Sequence, residues 1–353
     1  MVNSKIAGIG YYVPEKEVTN DDLAKYMETS DAWIQERTGI KSRRYAEKHK
    51  ETTTTMGARA AEKAIEDAGI AKEEIDFIIF ATLSPDYYFP GCGVLVQREL
   101  GISNLEMGAL DIRNQCSGFI YGLSVADKFV KSGQYKNVLL IGSEMHSMGI
   151  DFSTKGRNVT VIFGDGAGAV VLQPEKDLNK GILTTHLHSD GRDAEELSFI
   201  SPGSHGGYHD KEGFEDFGFV DPDVPGEIFI TEKIAKDGTY PYMNGPAVFK
   251  KAVKKFPEVI MTALKTKGYD TKDIDMLIPH QANLRISQFV AKTLGLGPNQ
   301  VHNNIQKYGN TTAASVPIAL AEAIELGKIK DNDLVCLAAF GSGFTWGSAL
   351  IRW

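Results

Sequence analysis

Three residues of this chain have the types and settings from which a nucleophilic site can be built: Cys116 in DIRNQCSGFIYGL, His280 in IPHQANLRI and Asn310 in KYGNTTAAS. Cys116 falls between a strand-like run and an amphipathic helix. Its thiol is therefore expected at a helix N-terminus, where unpaired N–H groups and the helix dipole favour the reactive thiolate. The small neighbours Ser117 and Gly118 leave room for a substrate. His280 closes a buried strand at 274–278, the strand end at which α/β sheets hold their ligands. Asn310 follows a glycine ahead of another helix, ordinarily a turn or N-cap signal. Taken singly, a lone cysteine reads as a small core hydrophobe and a lone histidine as a structural hydrogen bonder.

An internal repeat changes that reading. AGIAKEEIDFIIFATLS from Ala68 resembles KGYDTKDIDMLIPHQAN from Lys267, each a helix end, an acidic turn and a short buried strand. Helices ending in Leu100-Gly101 and Leu294-Gly295 follow, then helices ending in Ser132-Gly133 and Leu326-Gly327, then apolar strands. In this register Cys116 stands opposite Asn310. The apolar positions Phe119, Leu123, Ala126 and Val130 recur at the spacing of one buried helix face, as do Val316, Leu320, Ala323 and Ile324. Pro317 must lie near the start of its helix or kink it. Two duplicated halves, 1–175 and 176–353, imply an α/β sandwich with mostly parallel sheets. Pseudo-twofold symmetry then brings the Cys116 and Asn310 helices together beside His280. A thiol, an imidazole and a side-chain amide in one place form a site for carbon–carbon condensation.

Composition narrows the alternatives. The chain has 353 residues, 42% of them hydrophobic, enough for a large core. No apolar run approaches the ~18–20 residues that cross a bilayer, and no leader pattern opens the chain, so no membrane association and a cytoplasmic location are expected. Cys92, Cys116 and Cys336 are widely spaced and lack any CxxC pairing, which fits a reducing compartment without disulfides or zinc. A net charge of −8 argues against nucleic acid. His186, His188, His205 and His209 have no compelling metal-ligand spacing, so no metal is expected. The glycine-rich run at 164–168 follows a strand but lacks both the Lys-Ser/Thr and the GxGxxG patterns of phosphate loops, and reads as tight packing beside the active site.

The chain closely resembles the β-ketoacyl-acyl carrier protein synthase III branch of the thiolase superfamily. The resemblance rests on SDAWIQERTGIKSRR from Ser30, CSGF at Cys116, IFGDGAGAVVL from Ile162, PHQANLRI from Pro279, GNTTAAS from Gly309 and FGSGFTWGSALIRW to Trp353. It implies a thiolase-like αβαβα sandwich and a decarboxylative Claisen condensation of an acyl-CoA primer with malonyl-acyl carrier protein, with no cofactor. Cys116 would carry the acyl group while His280 and Asn310 bind the malonyl carbonyl. The backbone N–H groups of Cys116 and Gly343 would form an oxyanion hole. Trp33, Arg37 and Arg157 would hold the adenine of coenzyme A, Asn283 the pantetheine arm, and Phe89 would reach across a homodimer into the partner's acyl pocket. The cluster Lys250, Lys251, Lys254 and Lys255, with Arg285 and Lys292, reads from charge as a solvated face or an acidic-partner site. The resemblance makes it the dock for the carrier protein.

Departures from the family pattern stand out at Gln115, where a small residue is expected, at Pro246 in MNGPAVF, and in the long segment at about 186–240. That segment carries Tyr208, Phe214, Phe217 and Phe219 among turn residues, and is expected to act as a lid favouring a primer longer than acetyl, or to be an ordinary surface insertion. The alternative functions are a specialised polyketide, resorcinol or quinolone type synthase, or a non-catalytic partner of a heterodimeric synthase. A thiolase would need a second cysteine near 341–343, and Cys336 precedes that loop. The chalcone synthase branch shares the Cys, His and Asn set but not the Trp33 region.

Overall fold

The computed structural model describes residues 2–199 and 240–353. The expected lid falls largely on residues 200–239, outside the described residues, and so do His205, His209 and the four aromatics assigned to it.

One sheet of five strands is built from β1 (Asn3–Tyr12), β2 (Phe77–Ala81), β3 (Gly108–Ile112), β4 (Val138–Glu144) and β5 (Gly166–Glu175), in the order β1-β5-β4-β2-β3. A second sheet is built from β6 (Gly181–Ser189), β7 (Met276–Pro279), β8 (Leu334–Gly341) and β9 (Thr345–Arg352), in the order β7-β8-β9-β6. The two orders match strand for strand. The missing equivalent of β3 survives as a single parallel bridge between Leu277 and Val301.

Side-chain alternation along the strands creates the layers. Phe77 and Ile79 of β2 face a core shared with Phe119, Leu123, Ala126 and Val130 of α4 (Gly118–Lys131), and with Val316, Leu320 and Ala323 of α7 (Ser315–Glu325). Ile278, Val335 and Leu337 close that core from the second sheet. The intervening residues Ile78, Phe80, Leu139 and Ile141 pack outward on α2 (Thr53–Asp67) and α3 (Cys92–Glu99). Leu277, Cys336 and Ala338 do the same on α5 (Gly245–Thr266) and α6 (Leu284–Leu294). Two helices thus lie between two sheets, with further helices outside each. α1 (Asp31–Thr38) belongs to a smaller cluster around Ile34, Ile40 and Val161.

The strands are less parallel than expected. β2 pairs parallel with β3 and β4, and β7 with β8, but β5 runs antiparallel to both β1 and β4, and β9 to both β8 and β6. The unbroken apolar runs suggested parallel pairing because both faces of each strand are buried. Helices cover both faces of these sheets whatever the strand direction. The short return from Gly341 to Thr345 forces an antiparallel pair. The run at 164–168 opens β5 rather than following a strand, and a Cβ on Gly168 would lie 2.7 Å from Pro317 of α7. Pro317, third in α7, sits where a helix tolerates proline.

Candidate active site

Cys116 occupies a single 3₁₀ turn, Gln115–Ser117, that leads into α4. A Cβ built on Gly118 would touch the Cβ atoms of Ala81 at 3.3 Å and Ala313 at 3.5 Å, so the start of α4 meets the turn ahead of α7. The end of β8 closes over the cysteine from the other sheet. A Cβ on Gly341 would stand 2.5 Å from the Cys116 Cβ and 3.0 Å from its Sγ, a space only glycine can yield. That approach places the amide of Ser342 on the sulfur, where it donates a hydrogen bond. The expected partner of the Cys116 amide, Gly343, lies one residue farther on at φ +127°. Ser117 ties the turn to β9 through a 2.7 Å contact with the Thr345 hydroxyl. Gln115 takes φ +44°, a left-handed conformation that glycine adopts most readily.

The thiol is less acidic than its helix position implies. Burial pushes Cys116 up to about 12, and the buried carboxyl of Glu144 adds to the rise, outweighing the amides that lower it. Desolvation therefore overrides the helix dipole. Glu144 accepts from the Thr82 hydroxyl, the amides of Leu83, Ser84 and Ala313, and the Ser84 hydroxyl at 2.7 Å.

His280 caps β7, its amide bonded to Ala338 O at 2.8 Å. Its Nδ1 lies 2.6 Å from the Ser315 hydroxyl, while Nε2 is buried with no partner among the described residues. Gln281 locks the following backbone by donating to Pro279 O at 2.6 Å and accepting from Asn304 and Ile305 N–H. Asn310 is not an N-cap. Its backbone is clamped between Ile162 O and the Gly164 N–H, and its Oδ1 accepts from the Thr312 amide at 2.8 Å. Cys116, His280 and Asn310 thus converge on the turn 310–315 and the end of β8. Glu144, Ser315 and Ser342 escaped the sequence reading. The signal for Glu144, an acid closing the apolar run VLLIGSE, is visible only afterwards.

The other expected residues form a second cluster. Arg37 and Arg157 place their guanidinium carbons 4.3 Å and 4.7 Å from the Trp33 ring centroid. Asn283 caps α6 by accepting from the Arg285 amide and donates 2.9 Å to Arg37 O, so its amide joins α6 to α1. Phe89 is 82% exposed, beside exposed Tyr87, Tyr88 and Leu110, the last on the edge strand β3. Of the basic cluster, Lys250, Lys254, Arg285 and Lys292 are exposed. Lys251 instead pairs with Asp193, and Lys255 with Glu258 while lying over the Trp346 ring. No metal-binding group of His, Cys, Asp or Glu and no helix able to cross a membrane occur among the described residues.

The buried ionisable groups set a pH profile for stability. Burial holds His146 and His280 down at about 3, below their ordinary 6.5, so the unfolded chain takes up protons first and each histidine withdraws stability as pH falls from 6.5 toward 3. Burial lifts Glu144 from 4.5 to about 7 and Asp165 from 3.8 to about 6, so each adds stability as pH falls through those windows. At about 1.4 kcal/mol per pH unit for each group, two gains cancel two losses between about pH 4.5 and 6. The urea midpoint is expected to stay level across that interval and to fall steeply below about pH 4. A steady rise in the midpoint from pH 6 to 5 would contradict the assignment of neutral histidines, and a steady decline would contradict the raised carboxyls of Glu144 and Asp165.

The sequence matches the family described as 3-Oxoacyl-[acyl-carrier-protein (ACP)] synthase III at residues 110–191, and the C-terminal part of the same family at residues 264–353. It is 44% identical over 352 residues to a beta-ketoacyl-[acyl-carrier-protein] synthase III of Xanthomonas campestris pv. campestris, covering 100% of this chain and 99% of the relative. The crystal structure of 3-oxoacyl-[acyl-carrier-protein] synthase III from Aquifex aeolicus superposes with a TM-score of 0.84 at 41% identity, covering 99% of this chain and 100% of that one. The priming beta-ketosynthase of the R1128 polyketide pathway superposes with a TM-score of 0.84 at 31% identity, covering 99% and 96%. The duplicated sheets and paired central helices are the thiolase-like fold that these proteins share, and the chain belongs to the 3-oxoacyl-[acyl-carrier-protein] synthase III family.

Proposed function

We propose that this chain is a condensing acyltransferase that loads an acyl group from coenzyme A onto Cys116 and extends it with a malonyl unit from acyl carrier protein. The observation that carries the reading is the convergence on one turn of Cys116, the Asn310 amide and the Nε2 of His280, which has no partner among the described residues. In the first half, the Cys116 sulfur attacks the thioester carbonyl and the bond to the coenzyme A sulfur breaks. The departing thiolate takes up the proton that Cys116, raised to about 12, still carries. The amides of Cys116 and Ser342 face the developing oxyanion, a pairing that replaces Gly343 with its neighbour.

In the second half the malonyl carboxylate leaves as carbon dioxide, and its electron pair enters the thioester as an enolate. With the Ser315 hydroxyl donating to Nδ1, His280 carries its proton on Nε2 and offers a neutral donor to the enolate oxygen. The Asn310 Oδ1 is engaged by Thr312, so the amide offers its NH₂. The carbanion then attacks the acyl carbonyl, a carbon–carbon bond forms, the carbon–sulfur bond to Cys116 breaks, and the released thiolate takes up a proton from solvent to restore the thiol.

The halves 1–175 and 176–353 supply Cys116 and the His280-Asn310 pair respectively. Trp33 with Arg37 and Arg157 is the adenine site, adjoining the α6 start that Asn283 fixes. The exposed Tyr87, Tyr88 and Phe89 beside the edge strand β3 support a homodimer in which Phe89 enters the partner's acyl pocket. Lys250, Arg285 and Lys292 form the carrier dock.

The test combines acyl-CoA primers with malonyl-carrier protein and follows release of coenzyme A and carbon dioxide. Lys250→Glu with Arg285→Glu is expected to raise KM for malonyl-carrier protein at least about tenfold, as expected for lost charge complementarity, while priming by acyl-CoA changes little. Equal loss in both halves would remove the docking assignment. Acetyl, butyryl and octanoyl esters in the same assay separate an initiating enzyme from one with a specialised longer primer, the reading that Gln115 favours.

A further inference from the structure

We propose that His146 is a positioning residue for the malonyl half of the reaction, acting through the Thr312 hydroxyl to hold the turn that aims the Asn310 amide. The inference rests on the role proposed above for Asn310.

Among the described residues the Asn310 side chain is oriented by one hydrogen bond, from the Thr312 amide to Oδ1. To point that amide backward, Thr312 adopts φ +49°, a left-handed conformation that a β-branched residue avoids and that persists only where its surroundings impose it. The last residues of β4 and those just beyond it supply those surroundings. Gly142, Glu144 and His146 alternate in position and all meet the turn at 312–313. A Cβ on Gly142 would lie 2.6 Å from Ala313 O, Glu144 accepts from the Ala313 amide, and His146 Nε2 lies 2.6 Å from Thr312 Oγ1. Gly142 and Glu144 thus hold backbone, whereas His146 holds the side chain of the strained residue itself.

The imidazole is itself fixed. It is buried and lies against Phe163, with ring centroids 4.6 Å apart, and Phe163 in turn forms a parallel bridge with Asn310. Burial keeps it neutral, so it adds no charge near the departing carboxylate. Because Nε2 is occupied by Thr312, His146 does not stand among the reacting atoms, and its influence passes through the turn.

The experiment measures two rates separately: acylation of Cys116 by acyl-CoA and decarboxylation of malonyl-carrier protein. His146→Leu is expected to slow decarboxylation by about ten- to a hundredfold and to leave acylation within about threefold, the signature of a contact felt in one half-reaction. His146→Gln, which can still reach the hydroxyl, is expected to recover most of the loss. Thr312→Val should reproduce the defect and Thr312→Ser should not, and the His146→Leu, Thr312→Val double variant should be no worse than either single one. Equal loss in both half-reactions, no loss in decarboxylation, or additive singles would overturn the proposal. If His146→Leu fails to fold, the Thr312 pair decides the matter alone. Asn310→Ala separates the two claims: full decarboxylation in that variant removes the role of Asn310, whereas its loss there and retention in His146→Leu and Thr312→Val removes this inference only.

Discussion

Cys116→Ala is expected to abolish acyl-enzyme formation: after mixing with acyl-CoA, the intact protein should gain one acyl mass in the parent and none in the variant. The other two thiols offer no substitute. Cys92 is buried at the start of α3 and pushed up to about 11, and Cys336 lies within β8, pushed up to about 12 by burial alone. Among the described residues neither has glycine backbone pressed against it as Cys116 has Gly341, and the groups on the Cys92 sulfur, the Thr54 side chain and the Asp86 amide, belong to a packed core and not to the turn that carries Asn310. Alanine keeps the Cβ that fills the space beside Gly341, so the variant should fold as the parent does. Condensation should fall by at least about a thousandfold, because removing the nucleophile removes the covalent route. A stable acyl adduct on Cys116→Ala would mean that another residue carries the acyl group.

The parts of this site legible in sequence are those written in residue type and period. The Leu-Gly pairs at 100–101 and 294–295 set a register between the halves, and that register sets Cys116 against Asn310. The helix faces of α4 and α7 followed from spacing alone, since a buried stripe constrains every third or fourth residue. Strand direction did not follow. Residues such as Val170 and Leu350 are buried on both faces of their sheets, and that burial is blind to whether the neighbour runs parallel.

The electrostatics were illegible for a related reason. Sequence shows that Cys116 precedes a helix, which favours a thiolate, but not that Glu144 from another strand stands close enough to oppose it. The proposed oxyanion partner moves from Gly343 to Ser342 because three successive residues, Gly341, Ser342 and Gly343, look interchangeable in sequence until one sees which is pressed against the cysteine. Glycine at 341 provides the approach, and the amide that profits from it belongs to the next residue. The lysines 250–255 read as one basic cluster, yet a helix sends Lys251 and Lys255 toward Asp193 and Trp346 while Lys250 and Lys254 face solvent.

His280→Ala and Asn310→Ala are expected to divide the reaction at its midpoint. Each should leave acylation of Cys116 within a few-fold, because the sulfur is addressed by the Ser342 amide and not by either side chain. Each should slow decarboxylation of malonyl-carrier protein by about a hundred- to a thousandfold, the usual cost of removing one preorganised donor from a developing oxyanion. The two losses should combine to less than their product, since both donors serve one oxygen and the second has less to stabilise once the first is gone. Ser315→Ala should produce a milder version of the His280 defect, because Ser315 fixes the ring and its proton without touching the substrate. Burial holds His280 at about 3, so the fold of loss in His280→Ala should be the same at every pH above about 5, with no inflection near 6.5. A loss that disappears as pH rises through 6.5 would show that His280 acts as a charged group, and a defect confined to acylation would move both residues to the other half of the reaction.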